Sequence, residues 1–259
     1  MMKTGLVSVT FRPLAPRAIV DLVARAGLDG IEWGGDVHVP HGDLGRAGEV
    51  RRMTADAGLA VAAYGSYYKV GETSGTPAFD AVLDTARALG ATYIRVWAGA
   101  KGSAAADAEQ RRRVAADALR IADLAAKAGM RLGFEFHQGT LTDTNESARQ
   151  FAAEAAHPNI VFGWQPPHGL AEADRVNGLE MLLPRLGHVH VHWWSTGANG
   201  ALAQSPLAEA KEPWRRYLRI AAAAPGDRFA LLEFVKGNTP EQFLQDAATL
   251  KELLRVVVG

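Results

Sequence analysis

The chain has 259 residues, of which 48% are hydrophobic, and its 28 acidic side chains balance its 28 basic ones. This length suits one large α/β barrel or two small domains, and zero net charge argues against a nucleic-acid partner held by counterion release. No cysteine is present, which excludes disulfides and thiolate metal sites. With no recognisable signal peptide and no run of about 18 apolar residues, we expect a cytoplasmic protein without a membrane span.

Short apolar runs alternate with segments of helical periodicity along the chain. The runs with strand character are Leu6–Phe11, Gly30–Trp33, Leu59–Gly65, Thr92–Ala98, Arg131–His137, Ile160–Trp164, His188–Trp194 and Phe229–Val235. The helical segments that follow them are Ala18–Ala26, Ala47–Ala57, Phe79–Leu89, Asp107–Ala128, Thr144–Ala155, Asp174–Leu186, Ser205–Ala224 and Thr239–Val257. Strict alternation of strand and helix predicts parallel pairing with right-handed crossovers.

Eight strand-then-helix units in about 250 residues is the size of a (β/α)₈ barrel. A doubly wound sheet is the alternative, and it would usually carry a glycine-rich phosphate loop after its first strand. Here Thr10–Pro16 follows the first strand without a glycine, and no phosphate-loop lysine motif occurs in the chain. The sequence therefore predicts a single TIM-barrel domain over residues 1–259.

Polar side chains stand at the ends of the last four predicted strands. Glu135, Gln165, His190 and Glu233 lie late in these strands, and His168 follows Gln165 by three positions. Because all strands of a parallel barrel end at one mouth, and neighbours are about 4.8 Å apart, these side chains can converge on one ion. Carboxylate and amide oxygens suit Mg²⁺ or Mn²⁺, and an imidazole extends the choice to Co²⁺ or Zn²⁺.

Histidines alternate along the seventh predicted strand. His188, His190 and His192 should face the same way, with His188 deepest as a hydrogen-bonded core residue and His192 at the rim, where it could touch substrate. Spacing alone leaves His190 and His192 both open as the metal ligand. His137 shares a face with Glu135, so it is either a substrate contact at the rim or a solvated histidine.

Other side chains at strand ends are candidate substrate contacts. Glu32 ends the second predicted strand between apolar neighbours, which is consistent with an inward acid at the pocket. The rings of Trp33 and Trp97 could pack on a sugar face, or could simply seal the top of the barrel. Lys69 or Arg95 could meet an anionic group on the substrate, although scattered surface cations are common.

Several short motifs carry a resemblance to a known family. The motifs are Leu28–Trp33, Phe134–His137, Trp164–His168, His188–His192 and Leu232–Phe234. In these segments the chain resembles the xylose-isomerase-like barrels. It is most similar to the sugar phosphate isomerase/epimerase group, which includes ketose 3-epimerases and inosose-processing enzymes.

This resemblance implies a metal-dependent mechanism with named residues. Glu135, Gln165, His190 and Glu233 would be the metal ligands. Glu135 and Glu233 would also take and return a proton through an ene-diolate, and His168 would hydrogen-bond the developing oxyanion or a ligand. Mg²⁺ or Mn²⁺ would hold the carbonyl and a neighbouring hydroxyl of the substrate.

The chain departs from the family pattern at three positions. An Asp normally stands where this chain has Gln165, a change that keeps an oxygen donor but removes one negative charge. Leu141 replaces a Glu of the ketose 3-epimerases, and Thr196 replaces their Arg. These departures argue against an ordinary ketose 3-epimerase.

Three hypotheses follow. The first is a metal-dependent isomerase or epimerase of a small sugar or inosose-type ketone. The alternatives are a lyase or dehydratase of the same superfamily, and a non-catalytic sugar-binding barrel whose metal site is weakened at Gln165. The expected partner is a small sugar-like molecule, with no nucleic acid and no membrane. Homodimers are common among barrels, but no sequence feature defines an interface.

Overall fold

The computed structural model describes residues 1–196 and 200–258, and within them eight parallel strands close into a barrel. The barrel strands are β1 (Met2–Val7), β2 (Gly30–Gly34), β3 (Ala60–Lys69), β4 (Tyr93–Trp97), β5 (Arg131–Glu135), β6 (Ile160–Trp164), β7 (Leu186–Val191) and β10 (Arg228–Leu232). Strand β10 pairs with β1 to close the cylinder. The predicted (β/α)₈ barrel is confirmed.

Eight α-helices surround the strands in the described residues. They are α1 (Pro16–Ala26), α2 (Leu44–Asp56), α3 (Phe79–Leu89), α4 (Ala108–Lys127), α5 (Asn145–Glu154), α6 (Glu172–Leu182), α7 (Lys211–Ala222) and α8 (Pro240–Val258). A short antiparallel hairpin, β8 (Trp194–Thr196) and β9 (Leu202–Gln204), lies between β7 and α7. None of the described helices has the length and apolar character needed to cross a bilayer.

Helix ends follow the local chemistry of the sequence. The side chain of Thr144 accepts a hydrogen bond from the backbone N–H of Ser147 at 3.1 Å, so it caps α5. Gly27 and Gly90 end α1 and α3 with φ values of 63° and 77°, a left-handed conformation that glycine adopts without a steric penalty.

The first strand begins four residues earlier than predicted, at Met2 rather than at Leu6. It ends at Val7, and Ser8–Phe11 forms a turn of 3₁₀ helix whose four residues are all buried. The apolar run therefore reflects burial that continues after the backbone has left the sheet. Hydrophobicity alone cannot distinguish these two cases.

The third strand is longer than predicted, because it continues past an irregularity. The register with β4 shifts between Gly65 and Tyr68, and Tyr67 between them has a φ of 54°. Such a conformation is uncommon for an aromatic residue. It aims the Tyr67 ring at the mouth of the barrel, where the ring lies over Arg95.

A stacked pair of rings fills the barrel interior below the mouth. Tyr93 and His188 are 4.2 Å apart with an interplanar angle of 16°. A Cβ atom on Gly133 would lie 1.9 Å from Tyr93 Oη, and one on Gly187 would lie 2.5 Å from it. Burial lowers the pKa of His188 to about 4, and His188 Nε2 bonds to the carbonyl of Ala62 at 3.0 Å. His188 is thus the hydrogen-bonded core residue that was predicted.

Candidate active site

A cluster of charged side chains lies above this pair of rings, at the carboxyl ends of the strands. Its members come from β2, β4, β5, β7 and the end of β10, and each is at most 4% exposed: Glu32, Arg95, Glu135, His190 and Glu233. Charges buried this deeply are costly unless they are paired. The cluster meets this requirement, because its acidic side chains pair with its basic ones.

Three of these side chains, Glu135, His190 and Glu233, could hold a metal ion, since their ligand atoms lie within 4.8 Å of one another. His190 Nε2 is 3.2 Å from Glu32 Oε2. Its Nδ1 lies 3.3 Å from Glu233 Oε2 and 3.5 Å from Glu135 Oε1, and no hydrogen bond satisfies it. An imidazole oriented by an outer carboxylate, with its other nitrogen facing two carboxylates, fits a divalent cation.

The electrostatics of His190 agree with this fit. Burial alone would lower the pKa of His190, but Glu233 and Glu32 outweigh burial and raise it well above its usual value. The carboxylates therefore attract positive charge to the imidazole edge, either as a proton or as a metal ion.

Arg95 is a fixed cation inside the cluster. Its Nε lies 2.5 Å from Glu32 Oε1, its Nη1 pairs with Glu135 Oε2, and the Tyr67 ring lies over it at 4.9 Å. Although burial raises the pKa of Glu32, Arg95 and His190 outweigh it and hold that pKa at about 2. The sequence signal for this inward position is the alternation of Tyr93, Arg95 and Trp97 along β4.

The two candidate catalytic carboxylates differ in their surroundings. Glu135 Oε2 also accepts a hydrogen bond from Trp97 Nε1 at 2.6 Å, and its Oε1 accepts one from Gln165 Nε2 at 3.3 Å. Burial raises the pKa of Glu135, but Arg95 and His190 hold it well below its usual value. Among the described side chains, only His190 comes within ion-pair distance of Glu233. Glu233 is therefore the less satisfied carboxylate.

A cavity of 350 Å³ opens above the cluster. Its floor includes Glu135, Gln165, His192 and Glu233, and its walls are largely aromatic. The rings in these walls belong to Tyr67, Trp97, His137, His168, Trp194 and Phe234. Rings on both sides of a polar floor suit a small, flat, hydroxylated ligand.

The two wall histidines are held by neighbouring rings. His137 stacks on Trp97 with ring centres 4.8 Å apart, and its Nδ1 contacts the carbonyl of Gln138 at 2.6 Å. His168 lies 5.3 Å from Trp194, and burial lowers its pKa. His168 is therefore neutral near pH 7, where it can donate or accept a hydrogen bond.

The structure brings most of the predicted site residues together. His190 lies directly beneath the floor of the cavity. Seven others border the cavity: Trp97, Glu135, His137, Gln165, His168, His192 and Glu233. Of the two histidines left open as ligands, His190 belongs to the cluster, whereas His192 Nε2 faces Gln165 Oε1 at 3.0 Å. The individual roles of these residues stay predictions.

Three predicted substrate contacts do not line the cavity in the described structure. Trp33 is fully buried and donates to Thr54 in α2 at 3.2 Å, because it alternates with the inward Glu32 and so faces the helices. Glu32 points inward but lies beneath the floor, paired with Arg95 and His190. Lys69 comes after the register shift in β3, pairs with Trp97 of β4, and is not among the described residues that line the cavity.

Comparisons with known proteins agree with this architecture. The family model described as xylose isomerase-like TIM barrel matches residues 20–253. A 3-dehydroshikimate dehydratase from Bacillus anthracis is 34% identical over 98 residues, which span 38% of this chain and 35% of that protein. Because the match spans only about a third of that relative's length, it does not assign the relative's activity to this chain.

Solved structures extend the likeness over the whole barrel. The probable 3-DHS dehydratase AsbF from Bacillus anthracis has a TM-score of 0.76 at 22% identity, covering 96% of this chain and 99% of that chain. A xylose isomerase-like TIM barrel protein from Mycobacterium smegmatis in complex with magnesium has a TM-score of 0.76 at 16% identity, covering 100% and 98%. An L-ribulose 3-epimerase has a TM-score of 0.69 at 18% identity, covering 99% and 96%. At these identities the structures show the fold.

Proposed function

Because the chain belongs to the xylose isomerase-like TIM barrel family, we propose that it is a divalent-metal-dependent enzyme that removes a proton next to a carbonyl group of a small, hydroxylated substrate. The observation that carries this proposal is the buried group of Glu135, His190 and Glu233 at the floor of the cavity. Carboxylates with one imidazole favour Mg²⁺ or Mn²⁺, with Co²⁺ or Zn²⁺ as alternatives.

Glu135, Glu233 and the Nδ1 atom of His190 would hold the ion, and Glu32 would orient His190 from behind. When bound, the ion supplies a Lewis acid that polarises the substrate carbonyl and acidifies the adjacent C–H bond. Tyr67, Trp97 and Phe234 would exclude water from one side of the reacting carbon.

Glu233 is the proposed base. Its Oε2 faces His190, and no hydrogen bond from a described residue reaches its Oε1. A carboxylate with a free oxygen above a buried floor can accept a proton from substrate. Glu135 is a weaker base, because Arg95, Trp97 and Gln165 already donate to its two oxygens. The arrangement supports one proton-transferring carboxylate better than two.

One base favours dehydration among the candidate reactions. Glu233 would take the proton from carbon, and the electron pair of the C–H bond would expel the hydroxyl group on the next carbon. The protonated Glu233 would then give that proton to the leaving oxygen, so that water departs and the carboxylate is restored. A flat, unsaturated product suits the aromatic walls, and the partial match to a 3-dehydroshikimate dehydratase points to the same chemistry.

Isomerisation or epimerisation is the second candidate. Glu135 and Glu233 face a common metal position, and the enolate formed by proton removal could be reprotonated elsewhere. Reprotonation at the neighbouring carbon gives an isomer, and reprotonation on the opposite face gives an epimer. The opposite face requires a second base, a task for which the heavily bonded Glu135 is poorly suited.

Product analysis in D₂O with Mn²⁺ tests the proposal. 3-Dehydroshikimate and a ketose panel would be incubated with the purified protein and analysed by mass spectrometry. Loss of water with a rise in ultraviolet absorbance would support dehydration, whereas deuterium in a product of unchanged composition would support isomerisation or epimerisation. Sugar binding with neither change would favour a binding protein. Turnover that survives both EDTA and Glu233→Gln would overturn the mechanism.

A further inference from the structure

Gln165 makes three specific contacts at the edge of the cluster of charged side chains. Its Nε2 donates to the backbone carbonyl of Phe136 at 2.9 Å and to Glu135 Oε1 at 3.3 Å. Its Oε1 lies 3.0 Å from Nε2 of His192. Both ends of the amide therefore have partners, the NH₂ group in Phe136 and Glu135 and the oxygen in His192.

The contact with Phe136 fixes which way the amide faces. A backbone carbonyl can only accept a hydrogen bond, so the end of Gln165 that faces Phe136 must be the NH₂ group. The oxygen must then face His192, whose Nε2 is the donor. Turning the oxygen toward Glu135 would place it against two acceptors, the Phe136 carbonyl and the Glu135 carboxylate.

We infer that Gln165 is a positioning residue that holds Glu135 in place, and that it is not a ligand of the metal ion. The inference rests on the metal site of the proposed function. Among the described residues it leaves Glu135, His190 and Glu233 as the protein ligands, and it leaves the side of the ion toward Gln165 open to water or substrate.

The chemistry of the position explains why an amide serves here. A carboxylate at residue 165 would face the Phe136 carbonyl and Glu135 Oε1 with no proton to share, which is unfavourable beside the buried carboxylate of Glu135. The amide instead donates to both acceptors and uses its oxygen to hold His192. Trp97 and Arg95 bind the other oxygen of Glu135, so Gln165 completes the restraint of that carboxylate.

Counting water molecules bound to Mn²⁺ tests the inference. Line broadening of the Mn²⁺ electron paramagnetic resonance signal in ¹⁷O-water would be measured for the wild-type protein, Gln165→Met and Glu233→Ala. Met has nearly the length of Gln but offers no hydrogen-bond donor and no hard oxygen ligand. If Gln165→Met unfolds, Gln165→Ala takes its place, with folding checked by circular dichroism.

We expect Gln165→Met to keep the wild-type number of bound waters, while its Mn²⁺ affinity falls about 10- to 100-fold because Glu135 is less well held. Glu233→Ala, which removes a ligand, should gain bound water and so validates the measurement. A gain of one water in Gln165→Met would overturn the inference and leave the proposed function standing. Absence of Mn²⁺ binding by the wild-type protein would overturn both.

Discussion

Arg95 Nε lies 2.5 Å from Glu32 Oε1, and the two side chains are only 5% and 1% exposed. Arg95 also pairs with Glu135, while Glu233 is the third carboxylate of the cluster. One guanidinium against three carboxylates leaves a double negative charge whenever His190 is neutral, the form in which an imidazole binds a metal ion. A divalent ion would balance that charge, so the internal cation and the proposed metal ion have complementary roles.

Replacing Arg95 should strongly destabilise the metal-free protein. Arg95→Met leaves Glu32 and Glu135 buried without their cation, and breaking a buried ion pair in this way costs about 3–5 kcal/mol. Urea denaturation in EDTA measures the free energy of unfolding. The control is Arg113→Met, whose partner Glu109 forms an exposed pair and whose loss should cost under about 1 kcal/mol. Equal losses in the two variants would contradict the assigned role of Arg95.

Adding one methyl group at Gly133 should also destabilise the barrel. The new Cβ would lie 1.9 Å from Tyr93 Oη, and overpacking a dense core typically costs about 1–3 kcal/mol. Thermal unfolding gives the measurement. Gly48→Ala within α2 is the control, since the nearest atom to its Cβ is an arginine tip at 3.8 Å and alanine favours helix by about 1 kcal/mol. Comparable effects of the same sign in both variants would contradict the packing argument.

The sequence predicts the barrel and the position of its buried charged cluster for a simple reason. Parallel strands bring their carboxyl ends to one rim, so Glu135, His190 and Glu233 converge once the strands are recognised. Their convergence follows from the order of strands, without knowledge of packing. The alternation of strand and helix fixes that order.

Other features depend on contacts that the sequence does not display. The partners of Arg95 are 63 and 40 positions away, and the orientation of the Gln165 amide depends on His192 and a backbone carbonyl. Trp33 is predicted to line the pocket because it stands at a strand end, but that position alone does not say which face of the strand its ring occupies. Its neighbour Glu32 was the available signal, since adjacent residues of a strand face opposite sides.

Comparison of Glu233→Gln with Glu135→Gln should separate an effect on catalysis from an effect on stability. Glu233→Gln removes the proposed base and should lower kcat about 10²- to 10⁴-fold, with little change in the unfolding temperature of the metal-free protein. Glu135→Gln should lose activity and stability together, because Arg95 and Trp97 lose their anionic acceptor. Steady-state kinetics and calorimetry in EDTA provide the two readouts. Full activity in Glu233→Gln would exclude it as the base.

Metal binding should stabilise the fold through His190. At a Mn²⁺ concentration 100 times Kd, linkage predicts about 2.7 kcal/mol of added stability, seen as a higher unfolding temperature than in EDTA. His190→Ala should abolish this shift, and Glu32→Gln should weaken Mn²⁺ binding about 10- to 100-fold because Glu32 orients the imidazole. His157→Ala is the matched control and should keep the full shift, since the ring nitrogens of His157 bond to Asp123 and to the backbone N–H of Asn159, away from the cluster. A Mn²⁺-induced shift that persists in His190→Ala would place the ion elsewhere.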